Sequence, residues 1–340
     1  MKKINVEDLQ HIFECTQTKL CHLQESTIFI LGGTGFIGRW LLEAIIYFNQ
    51  ICSLNIKIIV LSRNPDLFIE NNPRFGDYSF INFIKGDLNT FDLSIDSINY
   101  IIFAASELDD LEYSSDKSRL EFSSNGLSRV IDLALNQINL KKLLYTSSGA
   151  IYGNQPFSVS SILENDFYSD DKISTSSTYS QIKRNSEKFL KLTSQKYGLN
   201  IVVARCFSFI GPYLPQEKNY AAGNFVKNFL NEENIEISGN GHSIRSYLYA
   251  SDLTVALLNL LINENIFFEY NIGSSKPVTI SALADIFENL SQGKCKKNIL
   301  GVSMSESNYV PDIERYTSEY GQLEYISLED AVSKTIDFYR

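Results

Sequence analysis

Short runs of β-branched and other apolar residues recur along the first two thirds of the chain, at 27–31, 56–61, 80–84, 100–103, 142–145 and 200–204. Between them apolar residues return every three or four positions, as over 40–47 and 127–135, which is the spacing of one helix face. Strands that alternate with helices need crossover connections, so the pattern predicts an α/β, doubly wound parallel sheet with helices on both faces. Runs such as IIVL and YIIFAA are apolar throughout and fit strands covered on both sides. Ahead of the first strand, Val6, Leu9, Ile12, Phe13 and Leu20 predict an amphipathic helix over 5–23 that packs on the domain or on a partner subunit. After Arg205 the rhythm breaks. GPYLPQEKNYAAGN and SGNGHSIRSY are rich in Gly, Pro, Asn and Ser and predict loops of a smaller lobe. A helix over 251–262 and a strand over 269–272 are expected to return to the sheet.

Composition narrows the function classes. Of the 340 residues, 44% are hydrophobic and 21% charged, which supports a core needing neither metal nor disulfide. The net charge of −10 repels a phosphate backbone, so no nucleic-acid partner is expected. Five cysteines, at 15, 21, 52, 206 and 295, show no CxxC spacing and read as reduced thiols. Three histidines lie too far apart for a zinc site, and no metal is expected. The start, MKKINVEDLQHIF, lacks the apolar block of a signal peptide. No apolar run approaches the ~20 residues that span a bilayer. A cytoplasmic protein with no membrane contact is the expectation.

Chemistry enters at Gly32-Gly33-Thr34-Gly35-Phe36-Ile37-Gly38, which follows the strand TIFIL and opens the helix RWLLEAII. Glycines at 32, 35 and 38 let the backbone turn tightly against a pyrophosphate. The helix start, with Phe36 and Ile37, adds free N–H groups and roughly half a unit of positive charge. In its strand–turn–helix context this is the fingerprint of a Rossmann-type dinucleotide site. The second strand ends in Ser62-Arg63 rather than in an acidic residue, which suits a 2′-phosphate, with Arg39 at hand. NADP(H) is therefore expected over NAD(H). Asp87 and Leu88, after the third strand, are placed at the adenine. Ala104 and Ala105, after the fourth, are small enough for close approach. The expected organisation is a helical extension (1–26), a dinucleotide-binding domain (27–206, with 245–275 returning to it) and a C-terminal substrate-binding lobe (207–244 and 276–340).

Tyr-x-x-x-Lys occurs three times, at Tyr113/Lys117, Tyr168/Lys172 and Tyr179/Lys183, so the spacing alone decides nothing. Only the last follows capping residues, Thr175 to Thr178, and continues into an apolar helical face, which puts Tyr179 and Lys183 on one side of a helix. Interconverting an alcohol and a ketone moves a proton in step with a hydride. A tyrosine with pKa about 10 is a poor base at neutral pH. An ammonium nearby, together with an oxidised nicotinamide, favours the phenolate; one such charge at ~4 Å in an effective dielectric of about 20 offers ~4 kcal/mol, roughly three pKa units, and is expected to bring Tyr179 near 7. Lys183 also suits the nicotinamide ribose. Ser148, at the end of the fifth strand, is the expected third member, with Ser147 structural.

Together these residues resemble the extended short-chain dehydrogenase/reductases, the NAD-dependent epimerase/dehydratase family. The resemblance is carried by GGTGFIG, GDL, FAAS, TSSGAIYG, YSQIK, ARCFSFIGP, GNGHSIRSYLYASDL, YNIGSS and YVPDI, from Thr27 onward. It implies Ser148, Tyr179 and Lys183 as the catalytic set and a nucleoside diphosphate sugar as substrate. Ser106, Ser148, Asn224, Phe225 and Arg245 would hold that substrate, and the family pattern implies a homodimer. The chain departs from the family in three places. Gly149-Ala150 replace the Asp-Glu of the 4,6-dehydratases, Ser208 replaces a common Asn, and Ser62-Arg63 replace the acidic cofactor residue. The implied activity is reduction at carbon 4 of a nucleoside diphosphate 4-keto-6-deoxyhexose, with 4-epimerisation as the alternative. A non-catalytic NAD(P)-binding protein is the alternative from another class.

Overall fold

Strands that are apolar on both faces need two covering layers, and the chain supplies them. The computed structural model describes residues 3–340 other than 93, 95–96, 106–114, 154, 157, 167–176, 217–219, 266 and 302–306. β1 (Thr27–Leu31), β2 (Lys57–Ser62), β3 (Ile81–Lys85), β4 (Tyr100–Phe103), β5 (Lys142–Ser148), β6 (Ile201–Cys206) and the late strand β11 (Glu269–Ile272) form one sheet. Its order is β11-β6-β5-β4-β1-β2-β3, and every pair is parallel. This is a Rossmann-like α/β fold.

The helices among the described residues are α1 (Val6–Thr16), α2 (Phe36–Cys52), α3 (Pro65–Asn71), α4 (Asp116–Leu135), α5 (Thr178–Tyr197), α6 (Ala221–Leu230), α7 (Ala250–Ile262), α8 (Ile280–Leu290), α9 (Glu314–Tyr320) and α10 (Leu328–Tyr339). Alternate residues of β1 serve opposite cores: Ile28 and Ile30 pack toward α1, α2 and α7, and Phe29 and Leu31 toward α4 and α5. None of the described helices is long and apolar enough to cross a membrane.

The predicted helix over 5–23 is divided. α1 ends at Thr16, whose hydroxyl donates back to the Ile12 carbonyl at 2.7 Å, and Gln17–Leu23 tighten into a 3₁₀ helix. Such back-bonding loosens an α-helix at its end.

Short strands build the remaining layer. β7 (Ser208–Ile210) pairs with β10 (Tyr247–Tyr249), and β8 (Ile235–Ile237) pairs with β13 (Lys297–Ile299). β9 (Ile244–Arg245) lies between β12 (Val278–Thr279) and β14 (Asn308–Tyr309).

Candidate active site

The chain runs outward from β1 through β2 to β3 and then crosses back to β4 on the other side of β1, so a crevice opens at the carboxyl ends of β1 and β4. The glycine turn fills its floor. Gly32 has φ +84°, and a Cβ there would meet the Ala105 backbone at 2.6 Å. A Cβ on Gly38 would meet the Gly32 carbonyl oxygen at 2.4 Å, so glycine is needed for α2 to approach the turn. Gly35 is the N-cap of α2, and no side chain caps that first turn, formed by Phe36, Ile37 and Gly38. An uncapped helix start over a turn that only glycine fits suits a dinucleotide pyrophosphate.

The remaining expected cofactor residues line the same edge of the sheet. Ser62 ends β2 buried, and its carbonyl accepts from Gly86; Arg63 follows it and is exposed. Ala104 and Ala105 are half-buried after β4. Asp87 is half-buried after β3, but its Oδ1 already accepts from the Asn89 amide at 2.8 Å and the Thr90 hydroxyl at 2.9 Å. The Leu88 side chain faces the core beneath α4, which leaves its backbone toward the crevice edge. Arg39 differs from expectation. Its Nε donates to the Thr34 carbonyl at 2.9 Å, and its guanidinium lies over the rings of Phe68 and Tyr213. It braces the glycine turn.

β5 and α5 bring together the residues expected to be catalytic. Ser148 is the last residue of β5, where its Oγ accepts from the Ala150 amide at 3.1 Å. Ser177 caps α5 by accepting from the Ser180 amide, so Tyr179 and Lys183 sit one above the other in the first turns. Lys183 is buried. Its Nζ donates to the Thr146 carbonyl at 2.9 Å and lies 5.8 Å from the centre of the Tyr179 ring. The Tyr179 hydroxyl interacts with Ser148. The three residues expected to act together do meet.

In the chain without its cofactor the Tyr179 pKa moves the other way. Burial of the phenol outweighs the Lys183 charge and the Ser148 hydrogen bond, so its pKa stands above the ordinary tyrosine value.

The expected substrate residues within the described part of the chain lie on β5, α6 and β9. Arg245 on β9 directs Nη1 to the Ser307 carbonyl at 2.8 Å and Nη2 to the Ser307 hydroxyl at 2.9 Å. Asn224 is exposed on α6. The Phe225 ring is buried and packs edge-on to Phe287, so its side chain belongs to the core. Ser106 lies outside the described residues, as do Tyr113, Tyr168 and Lys172.

Two groups of residues that were not among the expected site residues complete the site. Glu187, one turn beyond Lys183 on α5, takes a paired contact from Arg205 of β6, with Nη2 at 2.8 Å and Nε at 3.1 Å, and a short hydrogen bond from Ser147. This buried clamp ties α5 to β5 and β6; its only sequence signal is the four-residue step from Lys183. Tyr309 reaches in from β14, its Oη 3.4 Å from Ser148 Oγ. No local spacing predicts that contact, because the two residues are 161 positions apart.

Comparison with known proteins agrees with this architecture. The sequence profile described as "NAD dependent epimerase/dehydratase family" matches residues 28–273. The chain is 23% identical to dTDP-glucose 4,6-dehydratase of Streptomyces niveus, over 92% of each chain. In structure it is similar to a UDP-glucose 4-epimerase from Thermotoga maritima, solved with UDP-glucose, with TM-score 0.78 and 19% identity over 92% of this chain and 98% of the other. It is also similar to a UDP-glucuronic acid 4-epimerase from Bacillus cereus in complex with UDP-glucuronic acid and NAD, with TM-score 0.77, 20% identity and the same coverage. At these identities the structural likeness establishes the fold.

Proposed function

The chain belongs to the NAD-dependent epimerase/dehydratase family, and from that premise we propose that it reduces the carbon-4 ketone of a nucleoside diphosphate 4-keto-6-deoxyhexose. One observation carries the reading: the half-buried Tyr179 stands beside Ser148 and the buried Lys183 at the carboxyl end of the sheet. Reduction of a ketone needs a proton donor at the oxygen, and a phenol held neutral by burial is that donor.

In this reading Ser148 and Tyr179 hold the ketone oxygen, and Tyr179 releases its proton to it. Lys183, anchored on the Thr146 carbonyl, steadies the phenolate left behind. A nicotinamide bound over the glycine turn would supply the hydride for carbon 4. Gly32, Gly35, Gly38 and the start of α2 would hold its pyrophosphate, and Ser62 and Arg63 a 2′-phosphate, which is why NADPH is the proposed reductant. Asp87, Leu88, Ala104 and Ala105 would border the adenine and the nicotinamide side. Arg245, Asn224 and the Phe225 backbone would grip the sugar nucleotide's diphosphate. Gly149 and Ala150 place no carboxylate after Ser148, which argues against a 4,6-dehydratase.

A second reading, 4-epimerisation, is favoured by the names of the two similar structures. Cofactor stoichiometry separates the two. Incubated with dTDP-4-keto-6-deoxyglucose and the UDP-, CDP- and GDP-linked equivalents, a reductase consumes NADPH one for one with substrate. Turnover of UDP-glucose to UDP-galactose without net loss of reduced cofactor would instead establish the epimerase. Absence of both reactions would sink both readings. The same reading proposes a homodimer working in the cytoplasm.

A further inference from the structure

Asp252, His11 and Cys15 form a line of carboxylate, imidazole and thiol that the sugar chemistry leaves unused. His11 and Cys15 are four residues apart on α1, so their side chains share one face of the helix. His11 Nδ1 lies 3.7 Å from Cys15 Sγ, within reach of a hydrogen bond to sulfur. On the other side of the ring, Nε2 meets Asp252 Oδ1 at 2.8 Å. Asp252 is fully buried near the start of α7, and its second oxygen accepts the Tyr325 and Ile326 amides at 3.0 and 3.1 Å. The carboxylate is thereby fixed, and it fixes the ring. Tyr325 closes the third side. Its ring stands edge-on to His11, with centroids 4.8 Å apart, and its hydroxyl reaches Cys15. The match to the family begins at residue 28, so the thiol and its imidazole lie ahead of it.

This setting suits a nucleophile. The thiolate is the attacking form of cysteine, and a sulfur anion needs donors aimed at it. Two converge on Sγ here, Nδ1–H of His11 and the Tyr325 hydroxyl. His11 carries its charge at neutral pH: burial opposes it, but the bonds to Asp252 and Cys15 prevail and raise its pKa to about 10. Cys15 stands in the last turn of α1, where the helix dipole disfavours an anion. A charge-assisted hydrogen bond at contact outweighs that partial charge. Cys15 is half-buried, so a small molecule can reach it. The two exposed thiols are placed differently. Cys21 adjoins His22, but His22 Nδ1 donates to the Ile262 carbonyl at 2.9 Å. Cys52 ends α2 with no histidine within a helical turn of it in the sequence.

We propose that Cys15 is a modification site for hydroperoxides, with His11 as its proton partner and Asp252 holding the imidazole in place. Cys15 Sγ attacks the terminal oxygen of the hydroperoxide, forming an S–O bond as the O–O bond breaks. Sulfur gives up two electrons and becomes a sulfenic acid. The peroxide is reduced, and the oxygen that leaves takes the proton from His11 Nδ1. The step draws on nothing at the glycine turn or at Tyr179, so it stands apart from the sugar chemistry.

Sulfenate formation is to be followed at each thiol of the intact chain, with hydrogen peroxide as oxidant, dimedone as trap and mass spectrometry of the peptides. Cys15 should be labelled at least about tenfold faster than Cys21 and Cys52, although both of those are more exposed. A rate no greater than theirs would overturn the proposal. In urea the three thiols should react alike. An advantage for Cys15 that survived unfolding would come from the local sequence and would overturn it equally. His11→Gln should bring Cys15 down to the rate of Cys21 and Cys52, whether or not α1 stays docked. A variant that kept the wild-type advantage would remove His11 from the step and sink the assignment. The wild-type comparison needs no variant, so it decides even if His11→Gln folds poorly.

Discussion

Two phenols, a hydroxyl and an ammonium share the catalytic centre, and burial decides which proton is available. Tyr179 is held above its ordinary pKa because loss of solvent costs the phenolate more than Lys183 and Ser148 return. A reduction that draws on this proton needs the neutral form, so its rate should hold through neutral pH and fall only on the alkaline side of about 10. A kcat that climbs steadily with pH through that range would contradict the assignment. Tyr179→Phe should lower kcat by about 10²–10⁴ while leaving the melting temperature unchanged. At the cofactor edge, removing one exposed cation from a phosphate contact costs about 1.5–3 kcal/mol. Arg63→Ala is therefore expected to erode the kcat/KM preference for NADPH over NADH by at least about tenfold, and an unaltered ratio would move the 2′-phosphate contact elsewhere. Ser148, Tyr179 and Lys183 were legible because each sits in a local pattern: a strand end, a cap, a four-residue step. Tyr309 was not, since only the register of β14 on β9 carries it to Ser148. The direction of the Tyr179 shift was also out of reach, because spacing reports the neighbouring charge and says nothing of depth.

Elements were legible to the extent that one face or both faces of each are apolar. β1 and β4 appear at the predicted residues, whereas β5 runs on to Ser148, because the polar Thr146 and Ser147 find partners in the Phe103 carbonyl and Glu187. α4 starts well before its apolar stretch, at a capping box formed by Ser115 and Ser118. The attachment of α1 was invisible, because it depends on polar residues remote in sequence. His11 Nε2 meets Asp252 Oδ1 at 2.8 Å at the start of α7; Asp8 accepts from Tyr249 at 2.7 Å and from Lys334 of α10 at 2.9 Å. Asp252 is fully buried and also receives the Tyr325 and Ile326 amides. Asp252→Ala should cost about 3–5 kcal/mol in denaturant unfolding, since it strands a charge and two amides. Burial opposes the His11 charge, but the bonds to Asp252 and Cys15 prevail and raise its pKa to about 10. Because the folded value lies above the unfolded one, this latch contributes in full below about 6.5 and is lost as pH rises toward 10. Melting temperature should decline across that window in wild type, and His11→Gln should flatten the decline. A slope unchanged by the substitution would assign it to other groups.

On the scale of the whole molecule, the catalytic helix shows two faces of opposite character. Ile182, Lys183, Glu187 and Leu190 of α5 turn inward. Phe189 and Leu192, one turn apart on its outer side, are 40% and 65% exposed. Leu135 at the end of the adjacent α4 is 41% exposed. A chain carrying a net charge of −10 repels its own copies at long range, so self-association needs an apolar surface where contact is made. For the proposed homodimer we assign that surface to the outer face of α5. Burying it on a second chain would also brace the helix that aims Tyr179 and Lys183, so assembly and turnover should be linked. Sedimentation should give the mass of two chains for wild type and of one for Leu192→Glu. The dissociated variant should bind NADPH at the glycine turn, which is remote from this face, but show reduced kcat. If Leu192→Glu sediments as wild type does, the interface lies on another surface; if it is monomeric with unchanged kcat, the Glu187–Arg205–Ser147 clamp alone suffices to hold α5 in register.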